Sequence, residues 1–280
     1  MKKTEKRSLK FFLTVVFLFI NYFYVVSQQI HQESDYVKDT IHVIEIKTDT
    51  LYNSKQEIYM ITISYESLKS YTLSIGHSEP ELIKTSTIGE RYNALIAING
   101  SFFDEDKGGS VSYFEINDSV ISYTKPTSMK WAKPDSLTNG AIVLNKDNKL
   151  EIEPAKSDTF YKESKLETAV MVTGPLLIYN SRAQILPNMS FTALRHPRTC
   201  LCDTKHSVIF IAIDGRSVNA EGMSLFEVQK FLLSLGCVDA INLDGGGSTT
   251  IWTKEKGVVN LPSDKTGERS VANALIILKK

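Results

Sequence analysis

The sequence predicts a mixed α/β fold: a single α+β domain, rich in antiparallel sheet, with one strand–helix–strand unit at its functional end. Three observations carry this. Short segments rich in β-branched residues recur along the chain, separated by polar turn residues. One segment, 223–236, has strong helical periodicity. The strands on either side of it end alike, in Asp214-Gly215 and Asp244-Gly245. The 280 residues are 42% hydrophobic and 23% charged, an ordinary globular composition.

The chain opens with a basic stretch and an apolar run from Phe11 to Val26, broken by Thr14 and Asn21. Val25-Val26-Ser27 supplies small residues near a cleavage point, so residues 1–27 read as a secretory signal peptide. The protein is then expected outside the cytoplasm (secreted, periplasmic or at the cell surface), touching membrane only if this segment stays uncleaved. The first 27 residues hold five bases and one acid, leaving 27 bases against 31 acids, near −4. That balance argues against nucleic acid as a partner, because its phosphates call for a basic footprint.

Alternating segments at 41–47, 57–66 and 71–76 read as strands, and 79–94 holds a helix that ends before a strand at 95–99. Residues 28–93 form a divergent β-rich front, and 94–280 carry the functional motifs. Hairpins are expected at 111–123, turning at Asn117-Asp118, and at 140–154, turning near Asp147-Asn148. An apolar stretch, 169–180, is punctuated by Gly174-Pro175, and 198–214 reads as a third hairpin turning at 203–205. In the helix, Ser224 and Glu227 make a capping box, Leu225, Val228, Leu232 and Leu235 line one face with Phe231, and Gly236 ends it. The unit 207–244 is expected as a parallel crossover, with a last strand at 269–278. Cys200 and Cys202 share a strand face and sit too far apart to bridge, so buried thiols are expected, with a pair involving Cys237 left open.

Both Asp-Gly strand ends should leave the sheet on one side, as neighbours or near-neighbours, where ligands gather in open α/β sheets. Asn99-Gly100 ends a third strand the same way. One or two glycines suffice for a turn, whereas Gly245, Gly246 and Gly247 let backbone N–H groups approach an anion as a nest. Ser248 follows as a hydrogen-bonding or capping residue; it lacks the surroundings of a serine nucleophile. Arg195, His196, Arg198 and Arg216 cluster nearby in sequence, and the planar guanidinium fork suits phosphate oxygens. Asp214, Asp244 and Asn99 also offer hard oxygen atoms of the kind Ca²⁺ or Mg²⁺ accepts, which leaves such an ion possible and not required.

Taken in order, NGSFF (99–103), TGPLLI (173–178), RHPRT (195–199), DGR (214–216), NLDGGGS (242–248) and ERSVANAL (268–275) resemble the phosphodiester glycosidase family over residues 94–278. The resemblance implies a hydrolase that cleaves a sugar-1-phosphodiester, or a phosphorylated glycan, to free sugar and a phosphomonoester. Glycoside hydrolysis commonly uses two carboxylates. Asp214 and Asp244 are assigned those roles. Arg198 and Arg216 would hold phosphate with the Gly245, Gly246 and Gly247 N–H groups, and Asn99 and His196 would position sugar or phosphate. Arg269 would complete the pocket or pair with an Asp. Two other readings stay open. One is a non-catalytic carbohydrate- or cell-wall-binding protein using aromatic platforms such as Phe102, Phe103, Tyr113, Trp131 and Trp252. The other is a metal-dependent phosphodiesterase cutting the other P–O bond.

Overall fold

The computed structural model describes residues 43–147 and 149–280, which all fall within one compact unit. The proposed leader, 1–27, the first residues of the strand at 41–47, and Asn148 lie outside the described residues. In chain order, the front comprises β1 (Val43–Thr48), β2 (Gln56–Ser64), β3 (Tyr71–His77), β4 (Ile83–Lys84), α1 (Thr85–Arg91) and β5 (Ile96–Asn99). Next come β6 (Phe114–Ile116), β7 (Ser119–Ser122), β8 (Gly140–Asn145), β9 (Leu150–Pro154), α2 (Asp158–Glu163) and β10 (Glu167–Thr173). Then follow β11 (Leu176–Tyr179), β12 (Arg182–Ala183), α3 (Ser190–Ala193), β13 (Arg198–Asp203), β14 (Ser207–Ile213) and α4 (Leu225–Ser234). The chain closes with β15 (Asp239–Asn242), β16 (Ile251–Thr253), β17 (Gly257–Val258), β18 (Ser270–Val271) and β19 (Asn273–Lys279).

A seven-stranded sheet runs β1-β2-β14-β13-β15-β11-β12, and two five-stranded sheets run β7-β6-β10-β8-β9 and β17-β16-β5-β19-β3. The mixed fold with dominant antiparallel sheet is as the sequence predicts. The front does not form a separate body: β2 pairs with β14 and β3 with β19, so residues 43–77 are woven into the sheets that carry the motifs. Gly174-Pro175 divides the 169–180 stretch between two sheets, β10 in one and β11 in another.

Side-chain alternation explains the layering. In β2, Tyr59, Ile61 and Ile63 face the large core between the sheets, while Ile58 and Met60 face the other way. That second face is covered by α4 through Leu225, Val228, Phe231 and Leu232, each worth roughly 1.5–3 kcal/mol once buried. The predicted capping box is present: Ser224 Oγ accepts from Glu227 N at 3.2 Å, and Ser224 N donates to Glu227 Oε2 at 2.9 Å. Gly236 takes up a φ of 79° to end the helix. Asn117 and Asp118, at φ 50° and 61°, form the tight turn of the β6–β7 hairpin.

β14 and β15 run parallel as near-neighbours, with β13 between them and antiparallel to both. One expectation needs correction: Cys202 is not a free thiol. It forms a disulfide with Cys237, fastening β13 to the segment that joins α4 to β15, while Cys200 stays reduced and buried.

Candidate active site

The site forms where β14, β15 and β5 end, each strand terminus held by the next. Asp244 N donates to Gly100 O at 2.9 Å, and Asn99 Nδ2 donates to Asp244 O at 2.7 Å. Asn99 Oδ1 accepts from Thr199 Oγ1 at 2.8 Å and from Thr250 N at 3.0 Å. Asn99 is fully buried with both ends of its amide used. It pins the Asp244 turn from behind.

Asp244 is half-buried. Burial raises its pKa, opposed by Ser248, Lys133, Arg269 and the Gly245 N–H. The Ser248 side chain lies beside the carboxylate without closing a regular hydrogen bond. The glycine nest is narrower than three N–H groups. Gly246 N donates to Pro197 O at 2.9 Å, so one of the three N–H groups is already spent, while Gly247 N–H has no acceptor among the described residues. The glycines serve close approach instead. A Cβ on Gly246 would sit 3.0 Å from the Arg216 guanidinium, and one on Gly247 would sit 2.0 Å from Asp264 Oδ1 and 2.6 Å from Arg269.

Arg216 holds a left-handed backbone, φ 59°, a conformation L-residues tolerate only under constraint. Its exposed guanidinium lies over Gly246, 3.4 Å from His196 Nδ1, and makes no ion pair among the described residues. His196 is half-buried, and burial, followed by the Arg198 and Arg216 charges, lowers its pKa, favouring the neutral ring. Arg269 pairs with an Asp, as anticipated: Nε to Asp264 Oδ2 at 2.7 Å and a second nitrogen to Oδ1 at 3.0 Å. Its remaining nitrogen reaches Glu105 at 3.3 Å.

The structure sets two predicted residues apart from this cluster. Asp214 is 2% exposed, and both its oxygens are spent, on Asn260 Nδ2 and Leu261 N, each at 2.9 Å. Asn260 also donates to Thr249 O at 3.0 Å and accepts from Ile251 N at 2.9 Å, so Asp214 braces the backbone just beyond the glycine turn. Burial pushes its pKa up to about 6, partly offset by those two bonds. Arg198 is 1% exposed and bonds the carbonyls of Met223, Phe191 and Leu194 at 2.7–2.9 Å, with burial lowering its pKa to about 10. It ties β13 to the start of α4. The alternation Arg198, Cys200, Cys202 signals this, since both cysteines face α4. Arg195 likewise serves the scaffold, pairing with Glu221 and Glu227.

Residues that sequence reasoning passed over complete the picture. Lys133 Nζ lies 5.3 Å from the centre of the Phe102 ring, its charge acts on Asp244, and it has no carboxylate partner among the described residues. Asp264 and Asn260 arrive on the loop between β17 and β18. Of the proposed aromatic platforms, Phe102, Phe103, Tyr113 and Trp252 are buried at 5% exposure or less. Trp131 alone is half-buried, with its ring N–H on Asp106. Of the oxygens proposed for an ion, Asn99 Oδ1 and both Asp214 oxygens accept hydrogen bonds from the protein. Among the described residues, no three His, Cys, Asp or Glu side chains converge as metal ligands.

The sequence profile of the phosphodiester glycosidases matches residues 92–278. The chain belongs to the phosphodiester glycosidase family. YomE, a prophage-derived protein of Bacillus subtilis strain 168, is 34% identical over 231 residues, covering 80% of this chain and 34% of YomE. The Bos taurus N-acetylglucosamine-1-phosphodiester α-N-acetylglucosaminidase is 39% identical over 62 residues, 22% of this chain and 11% of the bovine protein. The chain thus spans about a third of one relative and about a tenth of the other. The zebrafish N-acetylglucosamine-1-phosphodiester α-N-acetylglucosaminidase catalytic domain, auto-inhibited by its pro-peptide, shares the fold. Its TM-score is 0.65 at 19% identity, over 86% of this chain and 83% of that one. A Synechocystis protein also shares it, with TM-score 0.63 at 16% identity, over 87% of this chain and 64% of that one.

Proposed function

We propose that this phosphodiester glycosidase hydrolyses a sugar-1-phosphodiester at the sugar side of the linkage, releasing free sugar and a phosphomonoester. One observation carries the reading: a half-buried carboxylate, Asp244, at a strand end and acted on by two cations, Lys133 and Arg269, with Arg216 lying over the same glycine turn. A carboxylate faces the positive charge that develops at an anomeric carbon, and nearby cations suit the phosphate that departs from it. Phosphate leaves readily, so the reaction makes little demand for a strong general acid.

In this reading Asp244 acts on the anomeric carbon. Arg216, Arg269 and Lys133 take the phosphate oxygens, with Gly247 N–H as a backbone donor. His196, in its neutral form, orients Arg216. Asp214 and Asn99 position the turn without touching substrate. The protein works outside the cytoplasm. The basic-then-apolar leader and the Cys202–Cys237 disulfide both support this, since disulfides persist where conditions oxidise.

The test is an assay of the purified protein on UDP-GlcNAc and a panel of α-sugar-1-phosphodiesters, with and without EDTA, products being identified by mass and ³¹P NMR. Free sugar and a phosphomonoester are expected, unaffected by EDTA. Release of sugar 1-phosphate would point instead to the phosphodiesterase reading, and loss of free-sugar release with EDTA would show that an ion takes part. Binding without turnover across the panel would favour a binding protein on this scaffold.

A further inference from the structure

Glycosidase chemistry commonly needs a second carboxylate, and Asp214 is closed off. Asp264 is open. Its side chain is 27% exposed and is pressed against Gly247, three residues from Asp244. Arg269 holds it through two near-parallel bonds of 2.7 and 3.0 Å, and the same guanidinium acts electrostatically on Asp244. One cation therefore pairs with Asp264 and feels the charge of Asp244, with Glu105 on its outer edge. Hydrogen-bonding capacity lies unused on both sides of this contact: Ser248 Oγ and Ser263 Oγ are buried with no hydrogen-bond partner among the described residues.

We propose that Asp264 is the second reacting carboxylate, held by Arg269 until a substrate phosphodiester draws the guanidinium away. This rests on the glycosidase reading above. The phosphodiester offers Arg269 the same two-oxygen geometry that Asp264 now provides, so one exchange both binds the substrate anion and releases the base. A water oxygen then bonds to the anomeric carbon while one water proton passes to an Asp264 oxygen. The bond from the anomeric carbon to the bridging oxygen breaks, its electron pair leaving on the phosphate. Sugar, phosphomonoester and one proton on Asp264 account for every atom and charge. Asp244 stays ionised opposite the anomeric carbon throughout.

The experiment uses Asp264→Asn and Asp264→Ala in the full chain, with three readings. Titration of inorganic phosphate followed by ³¹P NMR needs no turnover: Asp264→Asn frees Arg269, so phosphate should bind several-fold tighter than to the wild type. On a substrate from which the wild type releases free sugar, kcat should fall by about 10²–10⁴ at nearly unchanged melting temperature. Azide or formate should restore Asp264→Ala by at least about tenfold, because a small anion can occupy the vacated place of the base. Phosphate affinity unchanged or weaker would overturn the exchange. A kcat near wild type, or a loss that follows the melting temperature and ignores azide, would overturn the catalytic role. Failure of the glycosidase reading shows separately, as a wild type that releases no free sugar, and the phosphate titration still decides whether Asp264 and phosphate compete for Arg269.

Discussion

β14 and β15 run parallel, one strand apart in the same sheet, and each hands the chain to an Asp followed by glycine. Beyond that point the two ends diverge. Asp214 meets two N–H donors, from Asn260 and Leu261, and is enclosed. Asp244 meets cations, from Lys133 and Arg269, and a turn of three glycines that lets Arg216, Asp264 and Arg269 close in. Neutral donors stabilise a carboxylate without giving it work. Cations facing a half-buried carboxylate create a place where a substrate anion can exchange with it. The strand end sets the direction of each Asp, and the loop returning from elsewhere in the chain sets its role.

The comparison breaks most sharply at the two Asp residues. Asp244→Asn should lower kcat by about 10³ or more, some 4 kcal/mol of transition-state stabilisation, while the melting temperature stays level or rises as a desolvated charge disappears. Asp214→Asn should do the reverse. An amide there turns an NH₂ group toward Asn260 Nδ2 or Leu261 N, leaving a buried donor unmet at a cost of about 1–3 kcal/mol. Each kcal/mol lost should lower the melting temperature by roughly 2–4 °C. Steady-state kinetics and calorimetry on the pair decide it. Equal loss of kcat without loss of stability in Asp214→Asn would return Asp214 to the reacting centre.

The disulfide sharpens the same contrast from the far end of β15. Cys202 and Cys237 are 35 residues apart, and closing such a loop stabilises a fold by about 3–4 kcal/mol in the chain-entropy account. Reduction should therefore lower the melting temperature markedly while kcat at low temperature holds, because the link lies before β15 and the site lies after it. A fall in kcat at a temperature where the reduced protein is still folded would show that the two ends of β15 are coupled.

The glycines give a smaller effect. At Gly215 an added Cβ meets backbone, 2.8 Å from Pro197 N and 2.9 Å from the Gly222 Cα, and neither atom can yield. Gly215→Ala should cost about 1–3 kcal/mol of stability. At Gly247 the obstruction is the Asp264–Arg269 pair, which can swing aside. Gly247→Ala should keep most of its stability and lose roughly tenfold or more in kcat/KM, about 1.4 kcal/mol, as those groups are displaced. Matched losses in both variants would mean that the glycines serve only the turn.

The fold was legible where its causes are local. Apolar, β-branched runs mark the central strands because both faces of that sheet are covered, and Ser224 with Glu227 marks the start of α4 because the cap bonds within a single turn. Periodicity tells which way a side chain faces but not which strand lies beside it, so the insertion of β13 between β14 and β15 was invisible. The same gap explains the disulfide, since its cysteines sit on different elements. Within the site, Asp244 was legible from its glycines and Arg269 from its motif. Lys133 and Asp264 were not, because they lie in ordinary polar loops that the long-range packing brings to Asp244. Arg198 was misjudged by residue type, although its place in the alternation puts it under α4.

The smallest effect concerns pH. The folded pKa of Asp214 is about 6 against an ordinary value of 3.8. Folding thus disfavours the ionised form. The stability this group contributes is full below about pH 4 and is lost as pH rises through 6. Between pH 7 and pH 5 the wild type should gain about 1 kcal/mol from Asp214 that Asp214→Asn cannot gain. Other titrating groups shift both proteins alike, so the quantity to follow is the gap between their unfolding free energies by urea denaturation across that range. The gap should widen as pH falls. A gap that stays constant or narrows would mean that Asp214 ionises in the fold as it does in the unfolded chain. The β14 end would then be as open to solvent and substrate as the β15 end, and the division of labour between the two Asp residues would fail.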